Sequence, residues 1–356
     1  MAEEGRTWRL LFSLALSLAA VGLSCRQSGR SPEEAAKQED RPPRVYVTNE
    51  ASGDLSVIDS GSNRVIATIP LGKRPRGIQI SPDQKTLYVA LSGSPFAGPY
   101  VDKSTLPPAD KRADGIGMFD IESSRLVKIL AGGSDPEQLA VSLDGKRLYV
   151  ANEDVGLASV VDIASNRVIK TIAVGDEPEG VGISPDGKTV YVTSEDDSQI
   201  AVIDTRTDSL VKSFKVGSRP RSAAFLPDGS RAYISEENDG SVSVVDTSRH
   251  EVIQTIQLTG ENVRPMGIAV APDGTKLYVT SGRGGKVFVI DAATNQVEGS
   301  IEVGLRPWGI AISPDGKTLY TANGPSDDVS VVDVETRQVV ARIKVGMRPW
   351  GVAIVP

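Results

Sequence analysis

Residues 178–220 read PEGVGISPDGKTVYVTSEDDSQIAVIDTRTDSLVKSFKVGSRP. An apolar run at 181–184 leads into Pro185-Asp186-Gly187-Lys188. That is a turn in which proline fixes φ and aspartate bonds its own backbone. A second run, 190–193, contains Tyr191, and a short acidic loop separates it from a third, 200–204, which ends in Asp204. After a turn at 205–209 comes a fourth run, 210–216. Val, Ile, Thr and Tyr dominate these runs, as pleated strands favour. The segment predicts four successive antiparallel strands, A to D. Runs B and C are apolar on both faces, which suits sheets packed between neighbours.

The unit recurs along the chain. Its tyrosine returns as Tyr46, Tyr88, Tyr149, Tyr191, Tyr233, Tyr278 and Tyr320. Its aspartate returns as Asp59, Asp120, Asp162, Asp204, Asp246, Asp291 and Asp333. A turn proline returns as Pro75, Pro136, Pro178, Pro220, Pro265, Pro307 and Pro349, in steps of 61, 42, 42, 45, 42 and 42 residues. Once one insertion is removed from the step of 61, steps of this size belong to four-stranded propeller blades. The first tyrosine sits in a strand B, and the last apolar run, 351–354, is a strand A. The expected fold is therefore all-β, a seven-bladed β-propeller of four-stranded antiparallel blades over 44–356. Its last blade joins strand A from the C-terminus to strands B–D from the N-terminus, which removes the gap between the ends.

The residues before the propeller read as targeting. Arg6 and Arg9 precede an apolar stretch at 10–23, too short to span a bilayer and of signal-peptide length, so 1–24 is expected to be a signal peptide. Cys25 is the only cysteine, so no intrachain disulfide can form. Gly22-Leu23-Ser24-Cys25 resembles a bacterial lipobox, with Gly22 where leucine is preferred. Lipidation of Cys25 is expected, the alternative being an ordinary cleavage after Ser24. A polar tether at 25–43 follows. The chain is expected to be exported, periplasmic or anchored at the outer membrane, and to touch the membrane only through a lipid. With net charge −7 and no Lys/Arg-rich block, it lacks the electrostatic footprint of a nucleic-acid binder. A monomer is expected.

The two ends of the unit differ. The C–D turns keep one length in every unit, and with the A–B turns they form a monotonous face. The irregularity lies in the D–A and B–C loops. Tyr88 and Asp120 are 32 residues apart, where other units have 13, which places an insertion at 92–113. A smaller one falls at 259–262. Insertions gathered on one face of a repeat array mark its binding face. The best site candidates flank the prolines: Arg74, Arg76, Glu137, Glu179, Arg219, Arg221, Arg264, Arg306, Trp308, Arg348 and Trp350. The next residue is usually glycine (Gly77, Gly180, Gly267, Gly309, Gly351), as crowded backbones near an axis require. Glu50, Glu153, Glu195 and Glu236 are nearby acidic additions. Two readings stay open: a mouth in which arginines take a carboxylate or phosphate and tryptophans serve as platforms, or a ring of Arg–Glu bridges that clamps adjacent blades.

Leu-Tyr-Val-Ala-Asn at 148–152, Val-Tyr-Val-Thr-Ser at 190–194 and Tyr-Val-Thr-Asn at 46–49 resemble the YVTN family of bacterial and archaeal β-propeller repeats. The series Gly-Lys-Arg-Pro-Arg-Gly (72–77), Asp-Pro-Glu (135–137), Glu-Pro-Glu-Gly (177–180), Arg-Pro-Arg (219–221) and Arg-Pro-Trp-Gly (348–351) resembles a subfamily associated with PQQ-dependent alcohol catabolism. That resemblance implies an accessory role beside a quinoprotein dehydrogenase or cytochrome partner. The insertion at 92–113 departs from the pattern.

Catalytic chemistry finds few residues. The single histidine, His250, falls in a monotonous-face turn and is expected to be solvent-exposed, so a Ser-His-Asp triad or histidine metal site is not expected. No Cys-x-x-Cys-His occurs. No cofactor or metal is expected, with calcium at Asp196-Asp197 or Asp327-Asp328 the exception weighed. Gly282 and Gly284-Gly285 follow a strand without a helix behind them, which argues against phosphate cradling. Glu137 and Glu179 occupy equivalent positions in adjacent blades and could divide acid and base roles. The leading expectation is a non-catalytic envelope binding or scaffold protein. The alternatives are a propeller lactonase or lyase using those carboxylates, and a surface adhesion or structural module.

Overall fold

The computed structural model describes residues 42–96 and 105–356. The expected signal peptide, Cys25 and nearly all of the tether lie outside the described residues. Seven four-stranded antiparallel sheets form the described fold. The closing blade, blade 1, has the order Pro349–Val355, Arg44–Asn49, Asp54–Asp59, Arg64–Pro70. Arg44 to Val47 pair in register with Val355 to Val352, so one sheet joins the chain's two ends. Blades 2 to 7 follow in chain order, with innermost strands beginning at Pro75, Pro136, Pro178, Pro220, Pro265 and Pro307.

Burial follows from each strand's place in the blade. In blade 4, strands B (Thr189–Ser194) and C (Gln199–Asp204) are buried along almost their whole length, because neighbouring blades cover both faces. Strand D of blade 1 (Arg64–Pro70) alternates exposed and half-buried, as a rim edge must. The core is a series of inter-blade clusters, such as Tyr191, Ile200, Val202, Ala223, Ala232, Ile234 and Val245 between blades 4 and 5.

The prolines do more than turn the chain. Each is the first residue of strand A, and the A–B pairing shifts register just after it, for example between Pro178 and Val181. Strand A thus begins at 178 rather than at 181. Six of the seven residues before these prolines have positive φ, between 41° and 60°: Arg74, Asp135, Glu177, Arg219, Arg306 and Arg348. Side-chain-bearing residues there cost roughly 1–2 kcal/mol each. The glycines behind them answer a close approach: a Cβ at Gly180 would fall on the carbonyl oxygen of Arg221, and one at Gly309 on that of Trp350.

On the monotonous face, Ser184 Oγ donates to Asp186 Oδ1 (2.7 Å), and Asp186 accepts from Lys188 N (3.1 Å), which closes the A–B turn. Three of the repeated tyrosines also carry a latch. Tyr149 Oη donates to Asp208 Oδ1 (2.7 Å) and Tyr233 Oη to Asn295 Oδ1 (3.0 Å), each in the next blade's C–D turn. His250 fills that place for Tyr191, whose hydroxyl lies 2.6 Å from its Nδ1. The expectation of an exposed histidine is therefore corrected: His250 is half-buried, and burial first, then Lys212, holds its pKa below the usual range.

Candidate functional site

The B–C loops of all seven blades and six of the seven D–A loops line a cavity of about 1080 Å³ at one end of the axis. Three repeat positions supply most of its ionic groups: the residues before and after the proline, and the fourth residue after the landmark tyrosine. In blades 3 and 4 they give an acidic sector: Asp135, Glu137, Glu153, Glu177 and Glu179 line the cavity, and Glu195 is buried against Arg221. In blades 7 and 1 they give Arg306, Trp308, Arg348 and Trp350.

Two buried arginines flank the acidic sector. Arg76 of blade 2 bonds Asp135 (3.0 Å) and Glu137 of blade 3, and its Nη1 is 3.7 Å from Glu153. Asp135, Glu137 and Glu153 have oxygens within 4.8 Å of one another, and Arg76 supplies the cation among them. Arg76 Nε and Glu137 Oε2 are buried without a partner in the described residues. Arg221 of blade 5 bonds Glu179 and Glu195 of blade 4 and Glu237 of its own blade (2.7 Å). Arg219 adds Glu195 (2.7 Å) and Glu237 (3.1 Å). Arg74 of blade 2 bonds Glu50 of blade 1 (2.8 Å).

This wiring differs from the expected carboxylate pair. Glu137 and Glu179 each meet a different arginine. The carboxyl that contacts Glu179 is Glu195, whose pKa is pushed well up by burial and then by the charge of Glu179. Burial also works to raise Glu237, but Arg221 and then Arg219 outweigh it and hold that pKa low. Burial opposes the charge of Arg221, yet Glu179, Glu195 and Glu237 hold its pKa above the ordinary arginine value.

The opposite sector is wired differently. Trp308 and Trp350 stack with centroids 5.9 Å apart and planes at 22°. Arg306 lies 4.8 Å above the Trp308 ring and Arg221 5.3 Å from it. Arg348 lies 4.1 Å above the ring of Phe96, from the 92–113 insertion. Neither Arg306 nor Arg348 has a carboxylate partner among the described residues, while Arg74, Arg76, Arg219 and Arg221 all do. Burial lowers the pKa of Arg306; Glu237 opposes that, and repulsion from Arg221, Arg283 and Arg348 adds to it. A desolvated guanidinium among like charges favours a bound anion.

Other expectations need correction here. Arg264 does not line the cavity; it donates to the carbonyls of Glu237 (3.2 Å) and Asn238 (3.1 Å). Its loop carries the three extra residues, and the left-handed conformation falls on Asn262 (φ 54°) instead of on Arg264. Glu236 also turns away, accepting from Ser241, Ser243 and Gly217 N inside blade 5. The mouth residue is Glu237, and counting four from Tyr233, as from Tyr46, Tyr149 and Tyr191, finds it. The insertion at 92–113 lines the cavity through Ser94, Pro95, Phe96, Leu106 and Pro107, whereas 259–262 does not. At the two weighed calcium sites, Asp197 Oδ2 accepts from Asp176 N (2.8 Å) and Asp327 Oδ1 from Arg348 N (2.8 Å), so these carboxylates brace D–A loops.

Comparison with known proteins adds similarity of fold and, over part of the chain, of family. The family described as Lactonase, 7-bladed beta-propeller matches residues 181–344. Antigen Lp49 of Leptospira interrogans is 31% identical over 137 residues, 30% of this chain. The chain spans 30% of the length of that curated relative. Among solved structures, hydrazine synthase of Kuenenia stuttgartiensis is similar with a TM-score of 0.71 at 21% identity, over 82% of this chain and 92% of that one. A putative 6-phosphogluconolactonase of Bacteroides fragilis gives 0.69 at 22%, over 89% and 99%. One from Bacteroides uniformis gives 0.72 at 19%, over 89% and 100%. At these identities the solved structures establish the fold alone. The chain is a seven-bladed β-propeller, similar over 181–344 to the lactonase-type propellers.

Proposed function

We propose that the protein is a non-catalytic binding propeller that takes an anionic group at Arg306 and Arg348, against the Trp308–Trp350 stack. The observation that carries this is the contrast between arginines of one repeat position. Those of blades 2 and 5 are neutralised by carboxylates, while those of blades 7 and 1 face the cavity with no carboxylate partner among the described residues. In this reading Arg76 and Arg221, with Glu137 and Glu179, are the clamp that shapes the mouth. Export, anchoring at Cys25 and service beside an alcohol-oxidising quinoprotein or cytochrome are the setting we propose for it.

The site carries its own reporter, because Trp308 and Trp350 are the only tryptophans after Trp8. Titration with glutarate or inorganic phosphate should change tryptophan emission and release heat in calorimetry. Arg306→Ala should weaken binding about tenfold or more, as loss of a charge-assisted hydrogen bond of about 1.5–3 kcal/mol implies. Its melting temperature should stay near that of the parent. Anion binding that survives both Arg306→Ala and Arg348→Ala would refute the assignment.

A lactone hydrolase at the same mouth is the second reading, favoured by the family match over 181–344 and by Glu195, a carboxyl whose pKa burial and the charge of Glu179 push up. It requires turnover of lactones that Glu195→Gln abolishes. Absence of turnover with the parent chain across sugar-acid and aliphatic lactones removes it.

A further inference from the structure

The residue two before each proline is Lys73, Ser134, Asp176, Ser218, Val263, Leu305 or Met347. Four are polar, and Val263 is half-buried. Leu305 and Met347 instead stand out in water, 66% and 55% exposed, at the tips of the D–A loops of blades 7 and 1. A single exposed leucine means nothing. Here three departures from the repeat coincide in the same two adjacent blades: the apolar tip, the arginine without a carboxylate, and the tryptophan after the proline. The tips are held in place, since Leu305 N donates to Ser326 Oγ (2.8 Å) and Met347 N to Ser52 Oγ (2.9 Å). Phe96, 37% exposed, stacks on Arg348, the residue after Met347.

We infer that this sector docks an acidic, aliphatic segment of a partner polypeptide, and this rests on the anion site proposed above. One carboxylate of the segment enters among Arg306 and Arg348, and its neighbouring aliphatic side chains cover Leu305 and Met347. A small anion would use the arginines and leave both tips in water. Arginine and tryptophan ringed by apolar contacts is the composition of a binding hot spot. Charge complementarity selects the partner: the chain carries −7 overall, which opposes an acidic segment in general, while Arg306 and Arg348 attract one here. The half-burial of Arg306 below the tips suits an extended chain reaching in better than a flat bilayer.

The test uses the full chain and three probes: glutarate, an eight-residue peptide of alternating Glu and Leu, and vesicles containing phosphatidylglycerol. The peptide should bind at least about tenfold more tightly than glutarate, as burial of hot-spot neighbours implies. Leu305→Ser with Met347→Ser, which restores the residue type of Ser134 and Ser218, should abolish that advantage and leave glutarate binding unchanged. Equal affinities for glutarate and peptide would overturn the inference while leaving the anion site standing. So would a double variant that loses vesicle binding instead of peptide binding, or one that dissolves a dimer of the chain. Failure of glutarate itself to bind would remove both.

Discussion

Deletion of residues 347–356 should abolish cooperative folding of the whole ring, not of one blade. The deleted segment is strand A of blade 1, and it supplies the inner edge against which Arg44–Asn49 pairs. It also buries Trp350, Ala353 and Val355, and it covers Tyr46 and Val57 in the cluster between blades 1 and 2. Each buried large apolar side chain contributes about 1.5–3 kcal/mol, so losing several is comparable with a typical net stability of about 5–15 kcal/mol. The loss spreads because the ring has no independent ends: blade 1 packs on blade 2 through Ile78 and Leu91 and on blade 7 through Tyr320 and Val331. The check is a urea titration followed by near-ultraviolet circular dichroism. The truncated chain should lack a sharp transition, and a midpoint close to that of the parent would refute closure by the C-terminal strand.

The sequence carried the fold because spacing is a topological quantity. Seven tyrosines, seven aspartates and seven prolines at near-constant intervals leave one architecture, and a strand A at the end of a chain that starts on strand B demands a shared blade. The mouth was legible only as a set of residues. Position in the repeat named Arg76, Glu137, Glu179 and Arg221, but which guanidinium meets which carboxylate depends on side-chain reach between blades. Counting did not show that Arg221 would collect three carboxylates, or that Glu195 rather than Glu137 would touch Glu179. The miss at Glu236 was avoidable, since the offset from the tyrosine selects Glu237. The miss at His250 was not. A turn position reads as solvent until the neighbouring blade's tyrosine is seen to reach it, 59 residues away in sequence.

Replacing Arg221 by methionine should cost about 3–5 kcal/mol, the expected penalty for leaving buried charges without their counter-ion. Methionine keeps much of the volume, so the loss is electrostatic. Arg221 is almost wholly buried, and three carboxylates converge on it, two of them from the adjacent blade. A fall in melting temperature on the order of 10 °C follows. The pH dependence distinguishes this from a packing defect. Without the Arg221 guanidinium, Glu179 loses its arginine and Glu195 and Glu237 keep only Arg219, so burial favours the protonated forms of this cluster more strongly than in the parent. The folded variant then binds more protons than the folded parent, so its stability deficit grows as pH rises through the new folded pKa values and shrinks on acidification. The deficit of Arg221→Met against the parent should therefore be smaller at pH 5 than at pH 8. Adding Glu179→Gln and Glu195→Gln should restore much of the loss at pH 8, because the uncompensated charge is then gone from both sides. A deficit independent of pH, and untouched by the two glutamines, would mean that Arg221 holds the blades by its aliphatic stem and its contact with Trp308 rather than by charge.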